Sequence, residues 1–157
     1  MISKRHFLFN IAMIVIPWLS LLFFGKQNFK RYSIAGISII CLEIVNHLIG
    51  YARNWWSFYS KRKSFLTNEL PFSIGPYMPL SMWILRFTFG NFKKFIFVNA
   101  IFDGIFAYFF IEWLSKIKIL TLNKLSNNQF FFYLFYKAFI LYGIQYLVEG
   151  KKMGKVI

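Results

Sequence analysis

Acidic residues are scarce in this chain of 157 residues, which has only 5 Asp and Glu against 19 Lys and Arg. Its single cysteine, Cys41, excludes an intrachain disulfide and a cysteine-based metal site. Its two histidines, His6 and His47, do not have the four-residue spacing of a zinc-protease helix. The sequence also lacks a glycine-rich phosphate loop and a Ser/His/Asp set. We therefore expect no metal or other cofactor, and an enzyme is the less favoured class.

Long apolar runs fill most of the chain, and 58% of its residues are hydrophobic. Five runs have about the 20 residues that a helix rising about 1.5 Å per residue needs to cross a bilayer. They cover residues 7–25, 33–52, 72–92, 95–114 and 129–148. This pattern predicts an all-α transmembrane helical bundle of about five membrane helices, in a single integral membrane domain over residues 1–157.

The third run differs from the others because Pro76 and Pro79 lie in its first half and Arg86 in its second. Two forms fit this composition: a kinked span, or a re-entrant segment whose backbone is covered by protein. Complete spans are the commoner case, so we favour five crossings.

Basic residues lie mainly between the runs and give a net charge of +14. After the second run, the aromatic residues Trp55, Trp56, Phe58 and Tyr59 precede the bases Lys61, Arg62 and Lys63. Aromatic residues next to bases are typical of a membrane interface. We expect the bases to meet anionic lipid headgroups rather than nucleic acid, for which no motif is present. With five crossings the bases divide almost evenly between the two sides, whereas a re-entrant third run places 11 bases on one side and 6 on the other. Both forms place the N-terminus in the cytoplasm of a multi-pass cell-membrane protein.

Polar residues inside the apolar runs are the candidate functional residues, since an ionisable side chain at the centre of a membrane helix costs about 2.5–3.5 kcal/mol on insertion scales. Glu43, Asn46 and His47 have the i, i+3, i+4 spacing that places them on one face of the second helix. They are predicted to form one polar stripe.

Asn99 and Asp103 repeat the four-residue spacing on the fourth run. Bases that could match the acids are Arg86 on the third run and Lys137 on the fifth. The third and fourth runs are joined by a short turn, so we expect Asp103 to pair with Arg86, with Lys137 as the alternative partner. Such pairs can determine which helices pack together.

Three functions fit these residues. The one we favour is a non-catalytic membrane protein that binds or regulates another membrane component, which could be a protein partner or a second copy of the chain. A small transport or proton- or ion-coupling protein would use Glu43, His47 and Asp103, because acid and histidine side chains form proton relays. An intramembrane enzyme acting on a lipid headgroup would use Glu43, His47 and Arg86.

The C-terminal half also carries a family resemblance. Gly75-Pro76, Trp83-Ile84, the stretch at 89–92, Asn99, Asp103 and the stretch at 106–108 together resemble small multi-spanning membrane proteins of unassigned function in low-GC Gram-positive bacteria. This resemblance implies a bacterial membrane setting and brings no activity with it.

Overall fold

The structure, a computed structural model, describes residues 4–60 and 64–153, with backbone alone for residues 151–153; the basic residues at 61–63 lie outside the described residues. Almost all of the described chain is helical. Its helices are α1 (Lys4–Ser20), α2 (Lys26–Arg53), α3 (Phe65–Asn68), α4 (Leu70–Ile74), α5 (Tyr77–Thr88), α6 (Phe92–Gly104), α7 (Ile111–Lys116) and α8 (Asn127–Met153). A 3₁₀ turn, Leu21–Phe23, extends α1, and a π-helical segment, Ile105–Phe110, joins α6 to α7.

The prediction of an all-α helical bundle is confirmed. Within the described residues, four helices are long and apolar enough to cross a membrane by themselves: Lys4–Phe23, Lys26–Arg53, Phe92–Lys116 and Asn127–Gly150. Only 11–33% of the residues in their most apolar stretches are buried inside the bundle. Many large apolar side chains, such as Ile16, Phe97 and Phe109, therefore face outwards, as they do in a membrane protein whose surroundings are hydrocarbon.

The third run accounts for the difference between four long helices and the expected five. It is broken into α4 and α5, and α5 has only 12 residues, or about 18 Å of helix. Trp18 of α1 donates a hydrogen bond to the Ile74 carbonyl of α4, and Arg86 of α5 donates one to the Phe24 carbonyl. Asn10 of α1 also donates to the Thr67 carbonyl of α3, so the segment advances from the level of Asn10 towards the end of the bundle that holds Phe24. The third run is thus kinked between α4 and α5, and it is not one of the four long apolar helices.

Local sequence signals set the boundaries of these helices. Gly25 has a φ of 85°, a left-handed conformation that lets the chain reverse between α1 and α2. The Asn91 side chain accepts a hydrogen bond from the Lys94 N–H and caps α6. Ser126 and Gln129 bond to each other's backbone N–H groups, which is the capping box that starts α8.

A short antiparallel pair of strands lies at the Lys4 end of the bundle. The two strands are distant in the sequence, and we call the pair the hairpin only for brevity. It pairs β1 (Trp56–Phe58) with β2 (Leu120–Leu122), with Ser57 opposite Thr121. β1 contains Trp56 and Phe58 of the aromatic stretch for which the sequence predicted a membrane interface, and Trp56 is buried in the core. We call this end the hairpin end, and the end with the α1–α2 reversal the turn end.

Two apolar cores lie along the bundle. The core towards the turn end includes Phe24, Met82 and Phe95, and the core towards the hairpin end includes Trp56, Ile111 and Leu120. In the fourth apolar run, the buried residues at positions 95, 99, 107 and 111 are four or eight residues apart. A spacing of four exceeds the 3.6 residues of an α-helical turn, and the wider π-helical segment keeps these positions facing the bundle.

Close packing at the break between α4 and α5 yields a stability prediction. A Cβ added to Gly75 would lie 2.6 Å from the Pro71 carbonyl oxygen and 2.7 Å from the Met13 carbonyl oxygen, and backbone atoms cannot easily move away. We expect Gly75→Ala to lower the free energy of unfolding in mixed micelles by about 1–3 kcal/mol. Gly143→Ala is the control, because its Cβ would meet no atom within 4 Å. Equal effects of the two substitutions would contradict the packing at Gly75.

Candidate functional site

Antiparallel packing of α2 against α8 creates the centre of the candidate site. Arg31 pairs with Glu149 towards the turn end, and Asn46 donates a 2.7 Å hydrogen bond to the Tyr136 hydroxyl nearer the hairpin end. Between these contacts, Lys137 of α8 forms an ion pair with Glu43 of α2. Both charged side chains are almost completely buried. A buried charge needs a partner, so each of the two residues makes the other tolerable in this place.

His47 extends this pair towards the hairpin end. Its Nε2 atom lies 3.8 Å from Glu43 Oε2, and its Nδ1 atom hydrogen-bonds the Ser73 hydroxyl of α4. Ser73 in turn donates a hydrogen bond of 3.3 Å to the backbone carbonyl of Glu69. The side chains of Ser73, His47, Glu43 and Lys137 thus form a series of polar groups that begins at the backbone carbonyl of Glu69, and we call it the buried polar row.

Aromatic rings surround the amine of this row. The Lys137 Nζ atom lies 4.8 Å from the centre of the Tyr77 ring and 4.4 Å from the centre of the Tyr133 ring. Cation–π contacts of this kind are strongest where water is excluded. The two rings therefore help Glu43 to hold the ammonium group inside the bundle.

A cavity of about 60 Å³ brings the second predicted pair of polar residues to the first. Asn99 and Asp103 of α6 line it together with Glu43 and Lys137. The Asn99 amide donates to the Phe95 carbonyl at 2.8 Å, one turn earlier in its own helix. These four residues lie near the middle of three different apolar runs in the sequence. In the fold, all four line one cavity.

The expected pairing of Asp103 with Arg86 is wrong. The Arg86 guanidinium donates to the Phe24 carbonyl at 3.1 Å and lies 5.1 Å from the centre of the Trp83 ring. Arg86 is two residues from the C-terminal end of α5, whereas Asp103 is eleven residues, or about 16 Å, into α6 from the same end of the bundle. Lys137, the alternative partner, is paired with Glu43, and within residues 4–60 and 64–150 no ion pair of Asp103 is found.

Three members of the site were not predicted from the sequence. Ser73 and Tyr77 look like ordinary residues of a weak apolar run, and only the packing of α4 and α5 against α2 shows their contacts. Glu69 could have been found, because it is one of only five acidic residues in a strongly basic chain and comes directly before an apolar run.

Glu69 lies at the hairpin end, outside the membrane-spanning segments, and is 3% exposed. Burial raises the pKa of Glu69 to about 7, and hydrogen bonding from its own backbone and from the Trp56 side chain opposes part of this rise. Its folded-state pKa is thus above its ordinary value, so the charged form becomes costly as the pH rises from about 4.5 to about 7. Near neutral pH this carboxyl group can either hold or release a proton.

Towards the turn end, apolar side chains interrupt the polar groups. Ile39, Ala138 and Leu141 follow Glu43 and Lys137 on the same helix faces. Beyond them, Gln145 donates to the Glu149 carboxylate at 2.9 Å, and Arg31 pairs with the same carboxylate at 2.8 Å. The buried polar row therefore reaches the hairpin end but not the turn end.

No group of three or more His, Cys, Asp or Glu side chains is placed to hold a metal ion in the part of the chain that the structure describes. Comparison of the chain with protein-family models, with curated proteins and with solved structures found no match. The interpretation of the site therefore depends on its geometry alone.

A double-mutant cycle tests whether the buried charges of Glu43 and Lys137 stabilise each other. Lys137→Met leaves the Glu43 carboxylate buried without its partner, a change that costs about 3–5 kcal/mol in proteins. We expect this variant to lose most of its folded, monodisperse fraction in size-exclusion chromatography. Adding Glu43→Gln removes the second charge and should restore part of that fraction.

The control is the same cycle at the exposed pair, with Arg31→Met and Glu149→Gln. The Arg31 side chain is 46% exposed, so its coupling to Glu149 should be no more than about 1 kcal/mol. A Glu43→Gln, Lys137→Met protein that is no better folded than Lys137→Met alone would show that the two charges do not stabilise each other.

Proposed function

We propose that this chain is a non-catalytic integral membrane protein that binds another membrane component inside its helical bundle. The observation that supports this proposal is an apolar cavity of about 220 Å³ next to the buried polar row. A cavity of this size between membrane helices is large enough for part of a hydrocarbon chain. We call it the apolar cavity.

The walls of the apolar cavity come from four of the five crossings. Met13 belongs to α1, Leu80 to α5, Phe102 and Ile105 to the fourth crossing, and Leu134 to α8. Leu80, Phe102 and Ile105 are also exposed on the outer surface of the bundle. The cavity therefore borders the region that membrane lipid would fill, and a hydrocarbon chain could enter it from the side.

Among the described residues that line the apolar cavity, Asp103 is the only charged one, and it also lines the small cavity next to Glu43 and Lys137. The π-helical segment begins two residues later, and π-helical turns occur often at functional sites. An occupant of the apolar cavity would thus contact the residue that links it to the buried charges. This gives binding a route by which it could influence the conformation of the bundle.

The cellular setting is part of the proposal. We infer a bacterial cell membrane with anionic lipid headgroups and a cytoplasmic N-terminus, on the basis of the basic clusters and the family resemblance. Exposed apolar helix faces would also allow a protein partner or a second copy of the chain to pack against the bundle.

Filling the apolar cavity tests the proposal. We expect Leu80→Trp to abolish most photo-crosslinking between a phospholipid with a diazirine in its acyl chain and the peptide that contains residues 102–110, because the indole would occupy the space of the acyl chain. Leu66→Trp is the matched control, since Leu66 is 69% exposed and does not line the cavity. Unchanged crosslinking in the Leu80→Trp protein would contradict an occupied cavity.

The buried polar row favours a second candidate, a proton- or ion-coupling protein. Its side chains follow one another from Ser73 through His47 and Glu43 to Lys137, and acid and histidine side chains are the usual members of a proton relay. The apolar side chains of Ile39 and Leu141 separate it from the turn end, so conduction would require a conformational change. Binding is the better supported function because it requires only the apolar cavity that the structure already contains.

Flux measurements in proteoliposomes decide this second candidate. If the row conducts, an imposed pH or ion gradient should dissipate through the unmodified protein, and Glu43→Gln should abolish the flux because it removes the charge while keeping the shape. Glu112→Gln makes the same change at an exposed position and should leave the flux intact. Absence of flux through the unmodified protein would reject the candidate.

The enzyme alternative receives no support from the geometry. It required Glu43, His47 and Arg86 to act together on a headgroup. Arg86 is bonded near the turn end, while His47 lies on the hairpin side of Glu43. These three residues form no common site.

A further inference from the structure

A polar cavity of about 360 Å³ lies at the hairpin end, apart from the apolar cavity. Its volume is within the range of about 300–1,000 Å³ found for small-molecule sites. Three aromatic residues, Tyr51, Trp56 and Phe58, form part of its wall, together with amide and hydroxyl side chains. We call it the interfacial cavity, because the hairpin that borders it carries the aromatic belt.

Among the residues that the structure describes, Glu69 is the only charged one that lines the interfacial cavity. Its side chain is 3% exposed, and its Oε2 atom has no hydrogen-bond partner among the described residues. A buried acceptor without a donor costs free energy, and a carboxylate costs more than a neutral group. A ligand that brings N–H donors and positive charge would remove this cost.

The aromatic wall fits the same kind of ligand. Ammonium groups bind to the faces of Trp and Tyr rings, and an aromatic cage with an acid is a common way of holding them. Outside the cavity, the exposed bases Arg53 and Lys124 directly precede or follow the wall residues Asn54 and Asn123 in the sequence. Two exposed bases are thus next in the sequence to wall residues of a cavity whose described charged residue is an acid.

We propose that the interfacial cavity binds the ammonium group of a zwitterionic phosphate ester, with Glu69 and the aromatic rings holding the ammonium and Arg53 and Lys124 meeting the phosphate. This is the chemistry of a phosphoethanolamine headgroup, either on a lipid or as a free small molecule. A purely anionic headgroup has nothing to offer Glu69, and a simple cation has nothing to offer the two bases. The proposal goes beyond binding in the apolar cavity and does not depend on it.

The protonation of Glu69 adds a pH dependence. Its pKa of about 7 means that the carboxylate needed for binding forms between about pH 6 and pH 8, while a primary amine stays charged. His47 and Tyr77 share a small cavity with Glu69, and Tyr51 faces it across the interfacial cavity. Binding should therefore strengthen as the pH rises through 7.

The test uses the full chain in detergent with phosphatidylethanolamine or phosphatidylglycerol at equal concentration, and native mass spectrometry counts the bound lipid. We expect phosphatidylethanolamine to be preferred, and Glu69→Gln to weaken its binding by about tenfold or more, as loss of a charge-assisted hydrogen bond would. Gln cannot ionise, so this variant avoids the cost of the buried charge and should fold. Glu112→Gln, an identical change at an exposed position, should bind as the unmodified protein does.

Tyr51→Leu is a second variant that leaves the acid in place and removes one aromatic face, and it should also weaken binding. Free phosphoethanolamine that displaces the lipid would identify the headgroup alone as the ligand, whereas failure to displace it would identify the complete lipid. Unchanged binding of phosphatidylethanolamine to a folded Glu69→Gln protein, or an equal loss of phosphatidylglycerol binding in that variant, would overturn the proposal.

Discussion

The buried ion pair between Glu43 and Lys137 constrains how the two central helices can pack. It lies between two apolar cores, one towards each end of the bundle, where most neighbouring contacts could be remade in another register. Rotating α8 by one residue, or 100°, would turn Lys137 away and leave Glu43 without a counter-charge. In a hydrocarbon environment, where burial of apolar surface does little to choose between helix partners, such a pair selects one arrangement.

The same pair organises the rest of the interior. His47 and Ser73 connect α2 to α4, and the rings of Tyr77 and Tyr133 connect α5 to α8 around the Lys137 amine. The broken third crossing is packed against α2 through these contacts as well as through its methionines. Polar groups are concentrated on the hairpin side of the pair, and the turn side is largely apolar until Gln145. The interior of the bundle is therefore more polar towards the hairpin end than towards the turn end, so a polar ligand would enter from the hairpin end.

Much of this arrangement follows from the sequence. The apolar runs predicted the crossings, and the spacing of Glu43, Asn46 and His47 predicted the polar stripe that the structure contains. The partner of Asp103 was not predictable, because the short turn between the two runs does not show that Arg86 lies two residues from the end of α5 while Asp103 lies eleven residues into α6. The short hairpin was missed because three-residue strands carry almost no periodic signal. Glu69 joins the site only through the tertiary contacts of a segment with weak propensity.

The π-helical segment has a consequence for sequence change in the fourth crossing. A π-helical turn is the conformation that a one-residue insertion produces in an α-helix, so Ile105–Phe110 holds one residue more than an α-helix of the same rise. Removal of one residue there would relax the segment to an α-helix, with the register of α6 and α7 kept on either side. The same deletion within α2 would rotate everything beyond it by 100° and move Glu43 or His47 off the shared face. Length variation in this chain should therefore concentrate in the π-helical segment.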